Sequence, residues 1–408
     1  MNANNPISKR RFLLISGTSY SLVNFRGPLV QALINAGLEV HTAAPGLFED
    51  TKTCQQLEAW GAITHDYPMQ RAGLNPLKDI LTLQSLYQLM RTVRPDMVLG
   101  YTIKPVVYGM LAAWLARVPK RYALITGLGY AFAGQASGKR ALVFHVVRRL
   151  YAAALNRADK VFFQNPDDES LFRELGILRK KVPSQVLNGS GVDMAHFALA
   201  SLPPGPPRFL LIARLLGDKG VRQYASAARR IKQQHPEMVF QLAGDIDSNP
   251  DTIAQEELDA WVNEGSIQHL GWLDDVRPAI ANCSVYVLPS YYREGTPRSV
   301  LEAMSMGRAV ITTDAPGCRE TVLEGENGYL IPVRNVDALV SAMQHFIDCP
   351  ARVKAMGQRS HEIAEERYDV HKVNAVMLQA MGVVTPEENT TEEIREVSST
   401  ENLISHIS

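Results

Sequence analysis

The stretch Glu294-Gly-Thr-Pro-Arg-Ser-Val-Leu-Glu302 decides how this chain is read. It sets two carboxylates eight positions apart, across a Gly-Thr-Pro turn that opens a helix. Pro297 suits the first helical position, because its missing N–H would have had no intrahelical partner. The N–H groups just after it can hold an anion such as a phosphate at the helix start. Glu302, a little over one turn along, still reaches a polar ligand lying against that start. One carboxylate on the loop and one on the helix therefore flank an anion site of diphosphate size.

Three further elements stand in a fixed order around this stretch. The strand Phe209-Leu-Leu-Ile212 runs into Ala213-Arg-Leu-Leu-Gly-Asp-Lys-Gly220, which carries Arg214 and Lys219 five positions apart. Gln241-Leu-Ala-Gly-Asp245 reads as a strand ending in Gly-Asp, with Asp245 suited to cap the next helix. Val285-Tyr-Val-Leu-Pro-Ser290 reads as a buried strand that feeds the Glu294 loop directly. Together with Gly307-Arg-Ala-Val-Ile-Thr-Thr-Asp314 and Gly328-Tyr-Leu-Ile-Pro332, these elements resemble the retaining glycosyltransferases of family 4. That family has the GT-B architecture: two Rossmann-like, doubly wound parallel-sheet domains facing a cleft. The resemblance runs to about Met381 and is most specific between Arg214 and Glu302.

The rest of the chain agrees with an α/β fold. Short β-rich runs alternate with helical periodicity, which implies parallel sheets built of βαβ units. Expected strands are Phe12–Ser16, Glu39–Ala43, Met97–Gly100, Tyr122–Ile125, Lys160–Gln164 and Val186–Leu187. A Pro/Gly-rich break at Ser201-Leu-Pro-Pro-Gly-Pro-Pro-Arg208 marks an interdomain linker. The pattern restarts at Phe209–Ala213, Val239–Ala243, Ile267–Leu270, Val285–Pro289, Val310–Thr312 and Gly328–Ile331. The expected division is an acceptor domain over 1–200 and a nucleotide-sugar domain over 201–359. By the resemblance, crossover helices over 360–383 return to the first domain. The Glu-, Thr- and Ser-rich tail over 384–408 is expected to be disordered.

The resemblance also implies roles. Arg214 and Lys219 would contact the two phosphates of a nucleotide diphosphate, where fixed cations can do the work of a metal. Glu294 would sit near the transferred sugar, and Glu302 would accept hydrogen bonds from the ribose hydroxyls. Gly295, Thr296, Pro297, Arg298 and Ser299 would line the donor site at the helix start. Gly17, on the loop after the first strand, and Leu270, where the family holds the base, would complete it. Neither a metal nor a cofactor is implied. Thr126-Gly-Leu-Gly-Tyr-Ala-Phe132 resembles a segment of bacterial transferases that extend polyprenyl-diphosphate-linked amino sugars, which makes Gly127 and Tyr130 acceptor candidates. Many members place a His near this point; this chain does not, so no general base is assigned.

Composition bounds the partners. The formal net charge is zero, which argues against a nucleic-acid binder. Four scattered cysteines suggest neither a zinc site nor a disulfide framework. Lys9-Arg-Arg11 precedes an apolar run, but that run breaks at Ser16-Gly-Thr-Ser19, too soon for a signal peptide. The segment Lys139–Tyr151 combines apolar residues with Arg140, Arg148 and Arg149, and reads either as a helix at an anionic membrane surface or as a packed Rossmann helix. Lys104 is a further cation for the diphosphate of a lipid-linked acceptor. The expected protein is a cytoplasmic enzyme, peripheral at the inner face of the plasma membrane. It would move an N-acetylhexosamine or hexose from a UDP-sugar to a polyprenyl-diphosphate-linked saccharide in O-antigen, capsule or glycan assembly. The rivals are a UDP-sugar 2-epimerase of the same architecture and a non-catalytic assembly scaffold.

Overall fold

The computed structural model describes residues 9–70, 75–128, 139–246, 249 and 251–383. Its first sheet holds β1 (Arg11–Ile15), β2 (Glu39–Ala44), β3 (Ile63–Asp66), β4 (Met97–Tyr101), β5 (Lys120–Ile125), β6 (Lys160–Phe163) and β7 (Ser184–Val186). The second holds β8 (Arg208–Ile212), β9 (Val239–Ala243), β10 (Gln268–Gly271), β11 (Val285–Leu288), β12 (Ala309–Thr313) and β13 (Gly328–Ile331). The orders are β3-β2-β1-β4-β5-β6-β7 and β10-β9-β8-β11-β12-β13. Every strand pair is parallel.

The strands are apolar on both faces because helices cover both faces. Leu13 and Ile15 enter one core while Phe12 and Leu14 enter the core on the other side. In the second sheet Phe209 and Leu211 face one core and Leu210 the opposite one. Each strand expected from sequence is present to within two residues at either end. The strand β3 was not anticipated. Ile63-Thr-His-Asp66 is a short edge strand without an apolar run, and only its pairing with β2 defines it.

Strand order reverses between β1 and β4 in the first sheet and between β8 and β11 in the second. The loops at the C-terminal ends of such neighbours diverge and leave a crevice for a ligand. Arg214 and Lys219 follow β8, and Glu294 follows β11. The fold thus brings together two sequence segments that are about 80 residues apart.

Two crossings join the halves. At the linker, buried Arg308 donates from Nη2 to Ser201 O at 3.1 Å and from Nε to Ile280 O at 2.9 Å. Near the C-terminus, a π-helical turn at Ala364–Tyr368 precedes the helix Val370–Ala380. Val192 N donates to Tyr368 O at 2.7 Å, and Val370 N donates to Val192 O at 3.0 Å. Beyond this point Met377, Leu378, Met381 and Val383 join the core that contains Phe12 and Leu14. Each such buried side chain stabilises the docking by about 1.5–3 kcal/mol. Tyr122 Oη fixes the end by donating to Met381 O at 2.8 Å.

Candidate active site

Lys219 ends a single 3-10 turn, Gly217–Lys219, and its Nζ forms an ion pair with Glu294 Oε1. Both side chains are mostly buried, at 13% and 12% exposure. Ser290 Oγ donates to the same Glu294 oxygen at 3.1 Å, and the Lys219 ammonium lies 4.8 Å from the centre of the Tyr292 ring. The loop is fixed from below, since Tyr291 N and Tyr292 N both donate to Asp218 O, at 2.8 and 3.0 Å. Burial pushes Tyr292 up to about 12, aided by Glu294 and opposed by the Arg214 cation. Burial likewise raises Asp218 against the pull of Lys219 and, more weakly, of Arg214. Arg214, Lys219 and Glu294 therefore belong to one electrostatic cluster.

Gly244 makes room for the Arg214 loop. Its φ is +137°, and a Cβ there would lie 1.9 Å from Ala213 O. Only glycine permits that approach. Gly244 N donates to Gly271 O at 2.8 Å, and Leu215 N donates to Asp245 O at 3.0 Å. Asp245 thus serves the loop through its backbone. Leu270 lies on β10, partly buried against the core that contains Tyr286.

The helix after the Glu294 loop is Arg298–Ser305, with Pro297 at its N-cap. This moves the sequence expectation by one residue. Pro297 has φ −69° and ψ 113°, an extended residue outside the helix, so Arg298 takes the first position. The first N–H groups still lie outside the intrahelical ladder. Glu302 lies on this helix, 12% exposed, with Oε1 2.9 Å from Arg298 Nε. Burial pushes its carboxyl up to about 7, against the pull of Arg298. Arg298 also lies 5.1 Å from the centre of the Phe25 ring, which belongs to the first domain. Burial raises Tyr286, and the nearby Ser299 hydroxyl opposes that.

The first domain grips the same loop. Asn165 caps the helix Pro166–Glu174, its Oδ1 accepting from Asp168 N at 2.8 Å. Its Nδ2 reaches across the cleft and donates to Glu294 O at 3.0 Å and Gly295 O at 3.1 Å. Thr296 Oγ1 donates to Gln164 O at 3.0 Å, and Gly127 forms an isolated antiparallel bridge with Glu294. Asp168, 1% exposed, lies 3.7 Å from Arg293 Nε, and burial pushes its carboxyl up to about 6. A Cβ on Gly295 would lie 2.1 Å from Gln164 Oε1. Gly295, Thr296 and Pro297 are consequently buried, and the first two are taken up by contacts between the domains.

Sequence reading did not find Ser290, Tyr292, Asn165 or Asp168 as site residues. Asn165-Pro166 is visible in the sequence as a helix start. Nothing in its spacing announces that the cap amide also bonds a loop more than 100 residues away.

Most of the other expected residues belong to the first domain. Gly17 follows β1, and a Cβ there would lie 2.7 Å from Thr102 Oγ1. Lys104 is paired with Asp79 at 2.8 Å, with both side chains largely buried. Tyr130 and the side chain of Arg140 lie outside the described residues, as does the tail from 384. On the helix Lys139–Leu155, Arg149 is exposed and Arg148 half-buried. Val147 packs inward while Val143 and Val146 are each 38% exposed, so these apolar residues of the helix are not buried as a unit. Among the described residues no helix is long and apolar enough to cross a membrane.

Two parallel-sheet domains facing a cleft, with paired cations and two carboxylates at the second domain's switch point, define a glycosyltransferase of the GT-B architecture. The Glycosyl transferases group 1 model matches residues 206–349, and the Glycosyl transferase 4-like domain model matches residues 25–184. The chain is 30% identical over 342 residues to the N,N'-diacetylbacillosaminyl-diphospho-undecaprenol alpha-1,3-N-acetylgalactosaminyltransferase of Campylobacter jejuni, covering 81% of this chain and 87% of that one. It is 28% identical over 289 residues to the UDP-Gal:alpha-D-GlcNAc-diphosphoundecaprenol alpha-1,3-galactosyltransferase of Escherichia coli, covering 68% and 72%. Among solved structures it resembles sucrose-phosphate synthase from Thermosynechococcus elongatus, with TM-score 0.75, 19% identity, and 91% and 98% of the two chains covered. Anabaena HepE in complex with UDP has TM-score 0.71 and 17% identity, covering 92% and 100%. The chain belongs to the group 1 glycosyl transferases.

Proposed function

We propose that this chain transfers an N-acetylhexosamine or hexose from a UDP-sugar to a saccharide carried on polyprenyl diphosphate. Transfer would retain the anomeric configuration and need no metal ion. The observation that carries this reading is the buried Lys219–Glu294 ion pair at the second sheet's switch point. A carboxylate neutralises the lysine while the site is empty and becomes free to hold sugar hydroxyls once a diphosphate takes the lysine over.

Arg214 and Lys219 hold the two phosphates and stabilise the charge that builds on the departing diphosphate. Arg offers a forked donor and Lys a compact charge, so the two complement each other. Glu302 accepts from the ribose hydroxyls, which requires Arg298 to release it or to share it. The acceptor oxygen bonds the anomeric carbon on the face from which the diphosphate leaves. The acceptor's proton passes to the departing phosphate oxygen.

The Campylobacter jejuni and Escherichia coli relatives are both named for adding a sugar to an amino sugar on diphosphoundecaprenol, through alpha linkages. That supports the acceptor class and a place in bacterial O-antigen, capsule or glycan assembly. It also supports work at the cytoplasmic face of the membrane, where such a lipid carrier would be met.

The test measures UDP release from a panel of UDP-sugars, with and without a polyprenyl-diphosphate glycolipid extract and with chelator present throughout. Release from one donor only when lipid is added is the expected result. Isomerised donor without release would assign an epimerase instead. Activity lost in chelator and restored by Mg²⁺ would overturn the metal-free mechanism.

A further inference from the structure

Arg26 follows the short helix Ser19–Asn24 and stands at the N-cap position of the helix Gly27–Asn35. It is a charged side chain in a place where a core residue would fit. It is 4% exposed, with its guanidinium 5.2 Å from the centre of the Tyr101 ring. Its Nε is buried with no hydrogen-bond partner, and among the described residues its guanidinium meets no carboxylate. Burial pulls the group down to about 10; Tyr101 opposes that, and the Arg298 cation adds to it.

A buried charge is costly unless it is paired, and a ring face offsets only part of that cost. Here the charged side chain that acts on it, Arg298, has the same sign. Arg298 comes from the other domain, stacks on Phe25 beside Arg26, and is itself offset by Glu302. Of the two guanidiniums, Arg298 has one carboxylate, Glu302, and Arg26 has none, which leaves a net positive charge. Among the described residues no further carboxylate pairs with either guanidinium, and an anionic ligand would balance the charge.

We propose that Arg26 and Arg298 form an anion site spanning the two domains, and that it takes a phosphate of a diphosphate ester when the cleft is filled. Guanidinium forks match phosphate oxygens in pairs, and the Tyr101 face holds the Arg26 plane in a fixed direction. Given the transferase reading on which this rests, the phosphate has two sources, the nucleotide diphosphate of the donor and the diphosphate of the lipid-linked acceptor. Because the two cations come from different domains, the site is complete only when the domains are closed.

The experiment compares the full chain with Arg26→Met, which keeps an apolar stem on Tyr101 and removes the charge. Calorimetry gives the affinity for UDP and for inorganic pyrophosphate, and the transfer assay gives KM for the lipid acceptor. If the donor supplies the phosphate, Arg26→Met weakens UDP binding by about tenfold and leaves the acceptor KM unchanged. If the acceptor supplies it, UDP binding is unchanged, the acceptor KM rises by about tenfold, and pyrophosphate loses affinity. Unchanged values for all three in a variant with the wild-type melting temperature overturn the proposal. Should Arg26→Met fail to fold, Arg26→Lys takes its place, keeping the charge but losing the fork. A loss of about threefold is then expected, and none overturns the proposal. A wild-type chain that binds neither UDP nor pyrophosphate sinks the transferase reading itself, an outcome distinct from a silent Arg26 variant.

Discussion

Glu302 offers the sharpest test of the donor site, because its surroundings bring its titration into the working range of the enzyme. Burial holds its carboxyl near 7, well above the ordinary 4.5, even with Arg298 at 2.9 Å. The ionised form offers both oxygens to the ribose hydroxyls and accepts more strongly than the neutral acid. About nine in ten Glu302 side chains are ionised at pH 8 and about one in ten at pH 6. Affinity for a UDP-sugar should therefore fall about tenfold between these values, or about 1.4 kcal/mol. A UDP-sugar is the right titrant, since its phosphates stay ionised across this interval. Isothermal titration at pH 6, 7 and 8 checks the slope. Glu302→Gln should bind more weakly at pH 8 and show no slope. A flat wild-type profile, or the same slope in Glu302→Gln, would refute the reasoning.

The same shift fixes the sign of a stability effect. A carboxyl raised on folding favours the fold when protonated. That contribution is fully present below about 4.5 and is lost as pH rises through about 7, a change of about 3 kcal/mol. The stability of Glu302→Gln relative to wild type should accordingly improve from pH 5 to pH 8 in chemical denaturation.

Two further substitutions test how the site is positioned. Asn165→Ala removes the donor shared by the carbonyls of Glu294 and Gly295. Leaving buried acceptors unpaired costs about 1–3 kcal/mol, and kcat should fall more than the Kd for UDP rises; equal changes in both would count against a role in placing Glu294. Gly244→Ala puts a methyl 1.9 Å from Ala213 O at a φ of +137°. It should displace the Arg214 loop and lower Tm and UDP affinity together, and normal UDP affinity in a folded variant would show that the loop tolerates the shift.

The site was partly legible in the sequence because some of its geometry is local. The spacing from Glu294 to Glu302 places both carboxylates around one helix start, whatever the rest of the chain does. The one-residue error at Pro297 arose because ψ at a proline is free even though φ is not. Gly127 shows the limit of that reading. Its glycine-rich segment suggested the acceptor, yet its backbone bridges Glu294 itself. A strand end in one domain can meet a loop of the other only after both sheets have formed.

By itself the sequence determined two parallel sheets, since runs such as Phe209-Leu-Leu-Ile212 are apolar on both faces and need helices on each side. It also determined the order of cations and carboxylates along the second half. The tertiary structure alone decided that Lys219 neutralises Glu294, that Asn165 holds the Glu294 loop from the opposite domain, and that Arg298 of the second domain lies over Phe25 of the first. The first contact depends on which strands the second sheet sets side by side, and the other two on how the two domains close on each other. Closure is set by the packing of surfaces far apart in sequence, which no periodicity or motif spacing encodes.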